Sequence, residues 1–282
     1  MVICISAILL CSSCSPVTRG VNSRPITAIL GAFENEVILL EDRLTDANEH
    51  RIEGIRFASG ALNGQRVVIV WTGIGKVNAA MTTTLLIEHF KPSRVIFTGI
   101  AGSANPQLRP GDIVIAEKTA HHDMGTLWPD GLYRRGVKNR LTGWENPIFF
   151  AADERLLHLT QRAAKQLELA SLETGAAERV PRVITGVVVT GDVFVASSEK
   201  CAELRENLGA DAVEMEGAAV AQICHQRQIP HIVIRSISDK ADESAVQDKQ
   251  MFYIIAAKNS ANLVAELLTL LGSDVCSDKT AQ

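Results

Sequence analysis

Carboxylates stand where a hydrophobic core would ordinarily hold aliphatic side chains. The chain reads Asp211-Ala-Val-Glu-Met-Glu216-Gly-Ala-Ala-Val220, and then Ile232-Val-Ile-Arg-Ser-Ile-Ser-Asp239. In both stretches an apolar, strand-like run delivers acidic groups at or near its end. A third acidic pair, Glu34-Asn-Glu36, follows the run Ile26-Thr-Ala-Ile-Leu-Gly-Ala32. A carboxylate in apolar surroundings must be paired, hydrogen-bonded or held with a raised pKa. A raised pKa suits a group that exchanges protons near neutral pH, so the three acidic clusters together point to acid/base chemistry. Each also has a structural reading: Asp239 as the N-cap of a following helix, and Glu36 as a first-turn glutamate facing the helix dipole. Glu214 and Glu216 are expected on one face of a strand, with Glu214 given the role of structural partner to an Arg.

The elements that must position these groups alternate between strand and helix. Short runs rich in Val and Ile at Ile26–Ala32, Arg66–Thr72, Arg94–Thr98, Asp112–Ala116, Ile184–Thr190, Ala212–Met215 and His231–Ile237 are mostly continuous, as expected for strands covered on both faces. Helical patterns fall at Lys76–Phe90, Asp153–Leu167, Ser198–Leu208, Gly217–Gln226 and Asp248–Leu271. The fold class is therefore α/β, in a single domain. Gly-rich turns after strands, Thr72-Gly-Ile-Gly75, Thr98-Gly-Ile-Ala-Gly-Ser103 and Thr190-Gly-Asp192, sit where open α/β sheets bind small molecules. None matches a dinucleotide or P-loop fingerprint. The stretch His121–Pro147 lacks clear periodicity and reads as a lid or a partner-facing insertion.

At 282 residues and 46% hydrophobic content the chain can bury one large core, and a net charge of -4 without a basic stripe argues against a nucleic-acid partner. Residues 1–24 are set apart from the fold, residues 25–272 form the domain, and 273–282 read as a polar tail. Val2–Leu10 is too short to span a bilayer and fits a secretory h-region. The following Cys11-Ser-Ser-Cys14 resembles a bacterial lipoprotein signal with Cys14 as the lipid-anchored residue. No Lys or Arg precedes the run, so an unstructured cytosolic extension or a misassigned start is the alternative. Localisation is accordingly exported or membrane-anchored on the periplasmic side, or else cytoplasmic. Cys201, Cys224 and Cys276 are too sparse for a disulfide framework or a zinc signature, and Cys224 reads as a small buried hydrophobe. His121-His122-Asp123 does not make a metal site either, because neighbouring strand residues face opposite ways and no further ligand is spaced to close it.

Seven ordered motifs carry a resemblance: Gly31-Ala-Phe-Glu-Asn-Glu-Val37, Thr72-Gly-Ile-Gly-Lys-Val-Asn78, Thr98-Gly-Ile-Ala-Gly102, Gly111-Asp-Ile-Val114, Thr190-Gly-Asp-Val-Phe194, Val213-Glu-Met-Glu216 and Arg235-Ser-Ile-Ser-Asp239. From about Ile26 to Leu271 the chain resembles the methylthioadenosine/S-adenosylhomocysteine nucleosidases of the purine nucleoside phosphorylase superfamily. The resemblance implies a mixed central sheet flanked by helices, a homodimer, no cofactor, and cleavage of the N-glycosidic bond of adenine nucleosides. It implies that Asp239 protonates the purine N7 with Ser238 orienting it, that Glu36 activates water, and that Glu216 accepts hydrogen bonds from the ribose hydroxyls. Met215 would pack on the ribose, Phe194 would stack on the base, the Val195 backbone would read the adenine edge, and Phe33 would line the sugar pocket.

The same resemblance bears on hydrolysis against phosphorolysis. A phosphorylase must neutralise phosphate with Arg clamps and backbone donors. The hexameric bacterial purine phosphorylases carry an Arg where this chain has Phe97, and a Gly-Asp-Pro-Leu-Arg loop where it has Glu34-Asn-Glu36. Carboxylates there suit water, so hydrolysis is favoured; a phosphorylase and a non-catalytic exported nucleoside-binding protein remain the alternatives. Ile100 replaces a Ser common in the family, and Lys249 falls where an aromatic usually covers the 5′ substituent. A cation there would suit a polar or anionic 5′ tail.

Overall fold

The computed structural model describes residues 25–169, 172–174 and 177–277; the leader, including Cys14, and residues 278–282 lie outside the described residues. The first half runs β1 (Ile26–Gly31), α1 (Glu34–Glu41), β2 (Thr45–Ile52), β3 (Ile55–Leu62), β4 (Gln65–Trp71), α2 (Lys76–Phe90), β5 (Arg94–Ser103), β6 (Ile113–His121), β7 (Gly125–Trp128), β8 (Gly131–Arg134) and β9 (Phe149–Ala151). It continues with α3 (Glu154–Gln166), β10 (Leu172–Thr174), β11 (Ala177–Arg179), β12 (Val183–Thr190), α4 (Ser198–Leu208), β13 (Ala210–Glu214), α5 (Gly217–Arg227), β14 (His231–Asp239) and α6 (Ala245–Ser277).

The strands make one mixed sheet in the order β13-β12-β6-β14-β5-β1-β4-β3-β2. Its middle is parallel: β1 lies between β4 and β5, and β14 runs parallel to β5. β13 then returns to pair antiparallel with β5 through Ala212↔Ser103 and Val213↔Gly102, which closes β5, β14, β6, β12 and β13 into a ring. The carboxyl ends of β1, β5, β12, β13 and β14 carry the acidic motifs and Gly-rich turns.

Continuous Val/Ile runs form strands here because both faces are covered. One face meets α1, α3 and α6 through Ile29, Ile69, Ile96, Ile234, Leu159 and Leu267; the other meets α2 and α5 through Leu30, Val70, Val95, Val233, Leu86 and Val220. Full burial of such side chains stabilises the fold by about 1.5–3 kcal/mol each. The stretch Phe252–Ser273 of α6 is apolar and long enough to cross a bilayer, yet it packs on β5, β14, α1 and α3 as a core helix.

Several boundaries differ from the sequence reading. α6 begins at Ala245 rather than Asp248 and continues to Ser277, past the expected end of the domain at 272. β6 extends to His121, and the His121–Pro147 stretch contains the hairpin β7–β8. The edge hairpin β2–β3 was not read from the sequence, because the side chains of Thr45–Arg51 are all exposed and show no apolar period.

Candidate active site

Where the strand ends of the ring meet, they enclose a cavity of about 250 Å³. Phe33, Ile100, Phe194, Val195, Met215, Glu216, Ser238 and Asp239 all line it. Glu36 does not: it sits one layer behind Phe33 and Ile100. Its carboxylate accepts the Ala32 N–H (2.5 Å) and Phe33 N–H (3.0 Å) on Oε2 and the Ile100 N–H (2.9 Å) on Oε1. In taking the Phe33 N–H, Glu36 also serves the start of α1, so its helix-terminus role and its site role coincide.

Glycines make room for the acids. A Cβ on Gly99 would lie 2.5 Å from Glu36 Oε1, and one on Gly102 would lie 2.8 Å from Asp239 Oδ1. The Thr98–Ser103 stretch, expected as a turn, is the end of β5, and its glycines admit two carboxylates beside the strand.

Asp239 ends β14 and is 2% exposed. Ser238 Oγ donates to its Oδ2 at 2.7 Å, and the Ala241 N–H donates to its Oδ1 at 2.9 Å. Ser238 thus stands where it can orient the carboxyl group. Asp239 does not cap a helix: the next one starts only at Ala245.

Glu216 lies beyond β13 rather than on it, as the residue that precedes the first turn of α5. It therefore does not share a strand face with Glu214, and the two carboxylates have different surroundings. Glu214 is wholly engaged: it accepts from the Glu216 and Gly217 N–H groups (3.0 and 2.7 Å to Oε2), from Thr190 Oγ1, and from Arg235 Nη2 at 2.7 Å. The Arg partner expected for Glu214 is Arg235, whose guanidinium also lies 4.0 Å above the Phe97 ring. The aromatic ring at position 97 thus supports a cation already paired with Glu214.

Glu216 accepts the Gly75 N–H at 2.8 Å on Oε1. Burial pushes its carboxyl up to about 8, the Glu214 charge adds to this, and Arg235 and the Gly75 N–H oppose it. Burial likewise raises Glu36, against the Arg235 charge and its three backbone donors. Both groups are tuned toward neutral pH.

A pH dependence follows. Below about pH 8 Glu216 binds a proton and loses acceptor capacity; on the role that the resemblance implies for it, affinity for ligands bearing ribose hydroxyls should fall as pH drops from 9 to 6. Free adenine, which has no ribose, should show no such limb, and Glu216→Gln should flatten it. Inhibition constants measured across pH check this; a parallel fall for adenine would refute it.

Sequence reasoning did not anticipate Arg235 as the specific partner, nor the Gly75 N–H. The first carried a signal, a lone Arg within an otherwise apolar strand. The second carried none beyond the Gly-rich turn itself. Among the described residues no group of three or more His, Cys, Asp or Glu side chains is placed to hold a metal. Cys224 is fully buried in α5.

Comparison with known proteins agrees with this geometry. The phosphorylase superfamily model matches residues 26–269. The 5′-methylthioadenosine/S-adenosylhomocysteine nucleosidase of Bacillus cereus is 37% identical over 242 residues, covering 86% of this chain and 97% of the relative. The crystal structure of the nucleosidase of that name from Neisseria meningitidis, in complex with methylthio-immucillin-A, has a TM-score of 0.73 at 37% identity, covering 87% of this chain and 99% of the other. Futalosine hydrolase of Helicobacter pylori gives a TM-score of 0.73 at 30% identity, covering 86% and 97%. With the matched span, the identity over most of both chains and the mixed sheet, this chain belongs to the phosphorylase superfamily and, within it, to the methylthioadenosine/S-adenosylhomocysteine nucleosidases.

Proposed function

We infer that this protein hydrolyses the N-glycosidic bond of adenine nucleosides of the methylthioadenosine/S-adenosylhomocysteine type, releasing adenine and a ribose derivative. The observation that carries the reading is the division of carboxylates around one cavity: Asp239 and Glu216 on its wall, and Glu36 behind it. Cleavage of a ribosyl C–N bond passes through an oxocarbenium-like state. Asp239 gives its proton to N7 of the departing base, so the C1′–N9 electron pair leaves into a neutral purine. Glu216 holds the ribose hydroxyls and faces the positive charge that develops on the ring. Water adds its oxygen to C1′ and passes a proton to Glu36. Phe194 stacks on the base beside the Val195 backbone, Met215 packs on the ribose, and Phe33 and Ile100 close the sugar side.

Water is favoured over phosphate because the described cavity wall carries no Lys or Arg. Arg235, the buried cation nearby, is bound to Glu214. Purified protein should therefore release adenine at the same rate with or without phosphate, read by absorbance or chromatography. A strict requirement for phosphate would replace this reading with phosphorolysis, and absence of adenine release would leave a nucleoside-binding protein.

A second cavity of about 440 Å³ shares Phe33, Ile100 and Phe194 with the first and continues to Asn35, Val246, Gln250 and Tyr253. It fits the 5′ substituent, with Asn35 Nδ2 donating to the Tyr253 hydroxyl at its rim. The side chain of Lys249 lies outside the described residues. Its charge still predicts a preference for polar or anionic 5′ groups. Equal or faster turnover of methylthioadenosine than of S-adenosylhomocysteine would remove that preference.

A homodimer is supported by an apolar stripe along the β4–α2 turn and α2, beside the cavity mouth: Ile74, Val77 and Met81 are 48%, 78% and 51% exposed, next to the half-exposed Trp71. Sedimentation at the 30.5 kDa of one chain would exclude it. Export with lipid attached to Cys14 rests on the sequence alone. Fatty-acid labelling that Cys14→Ala fails to abolish would exclude that.

A further inference from the structure

Three loops, two of which also line the cavity through Ile74 and through Val193 and Phe194, are tied together by charged groups that the reaction does not use. The β4–α2 turn supplies Lys76, the β6–β7 connection supplies Asp123, and the turn after β12 supplies Asp192. Asp123 works with both oxygens: Oδ1 accepts from Lys76 Nζ at 2.7 Å, and Oδ2 accepts the Asp192 N–H at 2.9 Å. Asp192 Oδ1 in turn accepts the Lys76 N–H at 2.8 Å, and its Oδ2 lies 3.7 Å from Lys76 Nζ. The circuit closes on itself.

Its position gives it consequence. Gly75, the residue before Lys76, gives its N–H to Glu216, and does so from a left-handed φ of +91° that favours glycine. A Cβ at Gly75 would lie 3.2 Å from Asp192 Oδ1, so the turn rests directly on the circuit. Lys76 and Asp123 side chains are only 18% and 25% exposed, which limits screening of the pair by solvent. Asp239, at the base end of the cavity, has separate supports: it is held by Ser238 and the Ala241 N–H, and the Ser197 N–H donates to the Ala241 carbonyl at 2.8 Å.

We propose that Asp123, clasping Lys76 and Asp192, is a positioning unit that sets the Gly75 N–H against Glu216 and thereby fixes the ribose end of the site. The inference rests on the nucleosidase reading and deepens it. Asp123 touches no reacting atom. It acts through a backbone turn, so its loss should weaken binding of ligands that carry a ribose and spare those that carry only the base.

The test uses two probes on the full chain: free adenine, and a C-nucleoside analogue of adenosine whose C–C glycosidic bond cannot be hydrolysed. Asp123→Asn keeps the size but cannot accept from both donors, and Lys76→Met keeps the aliphatic stem without the charge. In each variant the analogue should bind about tenfold more weakly and adenine should change by less than about twofold, with KM raised by a larger factor than kcat falls, because Glu216 holds the ribose in the ground state as well as in the transition state. The double variant should lose about as much as either single one, because both break one circuit. Equal weakening of both probes, or no change in either, overturns the positioning role. Failure of the wild-type protein to release adenine would instead overturn the reading on which it rests, so the two failures are separable.

Discussion

The Asp239→Asn variant is expected to lose about 10²–10⁴-fold in kcat on adenine nucleosides while binding a C-nucleoside analogue within a few-fold of wild type. The amide fills the same space, can still accept the Ala241 N–H, and has no acidic proton to give to the purine. Ser238 Oγ, which donates to the carboxylate at 2.7 Å, would have to turn and accept from the amide. A ribosyl substrate with a leaving group that departs as a stable anion, such as p-nitrophenyl β-riboside, needs no protonation and should be cleaved by the variant at close to the wild-type rate. Steady-state kinetics on the two substrates separate loss of an acid from loss of folding. Retained activity on adenine nucleosides would sink the assignment.

The second large effect concerns stability. Arg235 and Glu214 are 1% and 3% exposed at their side chains, and Glu214 also holds Thr190 and the first N–H groups at α5. Removing one member of a buried pair leaves the other charged and uncompensated, at a cost of about 3–5 kcal/mol. Glu214→Ala should therefore lower the melting temperature by about 10 °C, taking roughly 2–4 °C per kcal/mol for a domain of this size. Replacing both residues with apolar side chains of similar volume should recover most of that loss. It should not recover turnover, because Arg235 also biases the charge on Glu36. Thermal melts of the single and double variants decide it; a double variant as unstable as the single one would show that hydrogen bonding to α5, not the charge pair, dominates.

The strands most legible in the sequence are those whose side chains are buried on both faces. β1, β4, β5 and β14 announce themselves as Val/Ile-rich runs, and the Gly-rich stretch after β4 marks where that strand ends, whereas the one at Thr98–Ser103 lies within β5. β2 is the opposite case: its row Thr-Asp-Ala-Asn-Glu-His-Arg-Ile is held by the β3 ladder and by the cross-strand ion pair Arg56–Glu49, so no apolar pattern records it. The early turns of α6 escape for a similar reason, since Val246 and Gln247 face solvent.

At the site, residue types could be read but distances along the fold could not. Glu36 and Ile100 are 64 positions apart in the chain, yet one hydrogen bond joins them. Only the β1–β5 pairing makes that contact possible. The separation of Glu214 from Glu216 was obscured because a two-residue spacing suggests one strand face, whereas the strand stops at Glu214 and the chain turns into α5.

The closed ring of strands has a further bearing on how substrate range can diversify. β13 is hydrogen-bonded along both margins, to β12 and to β5, so the geometry at the sugar is inherited from a frame with little latitude to drift. The neighbouring 440 Å³ recess is walled instead by the opening turns of a helix, at Val246, Gln250 and Tyr253, whose side chains can change without touching that frame. On the proposed reading, bond cleavage and choice of tail fall to different parts of the architecture, and new specificities can arise at the rim while the chemistry stays fixed.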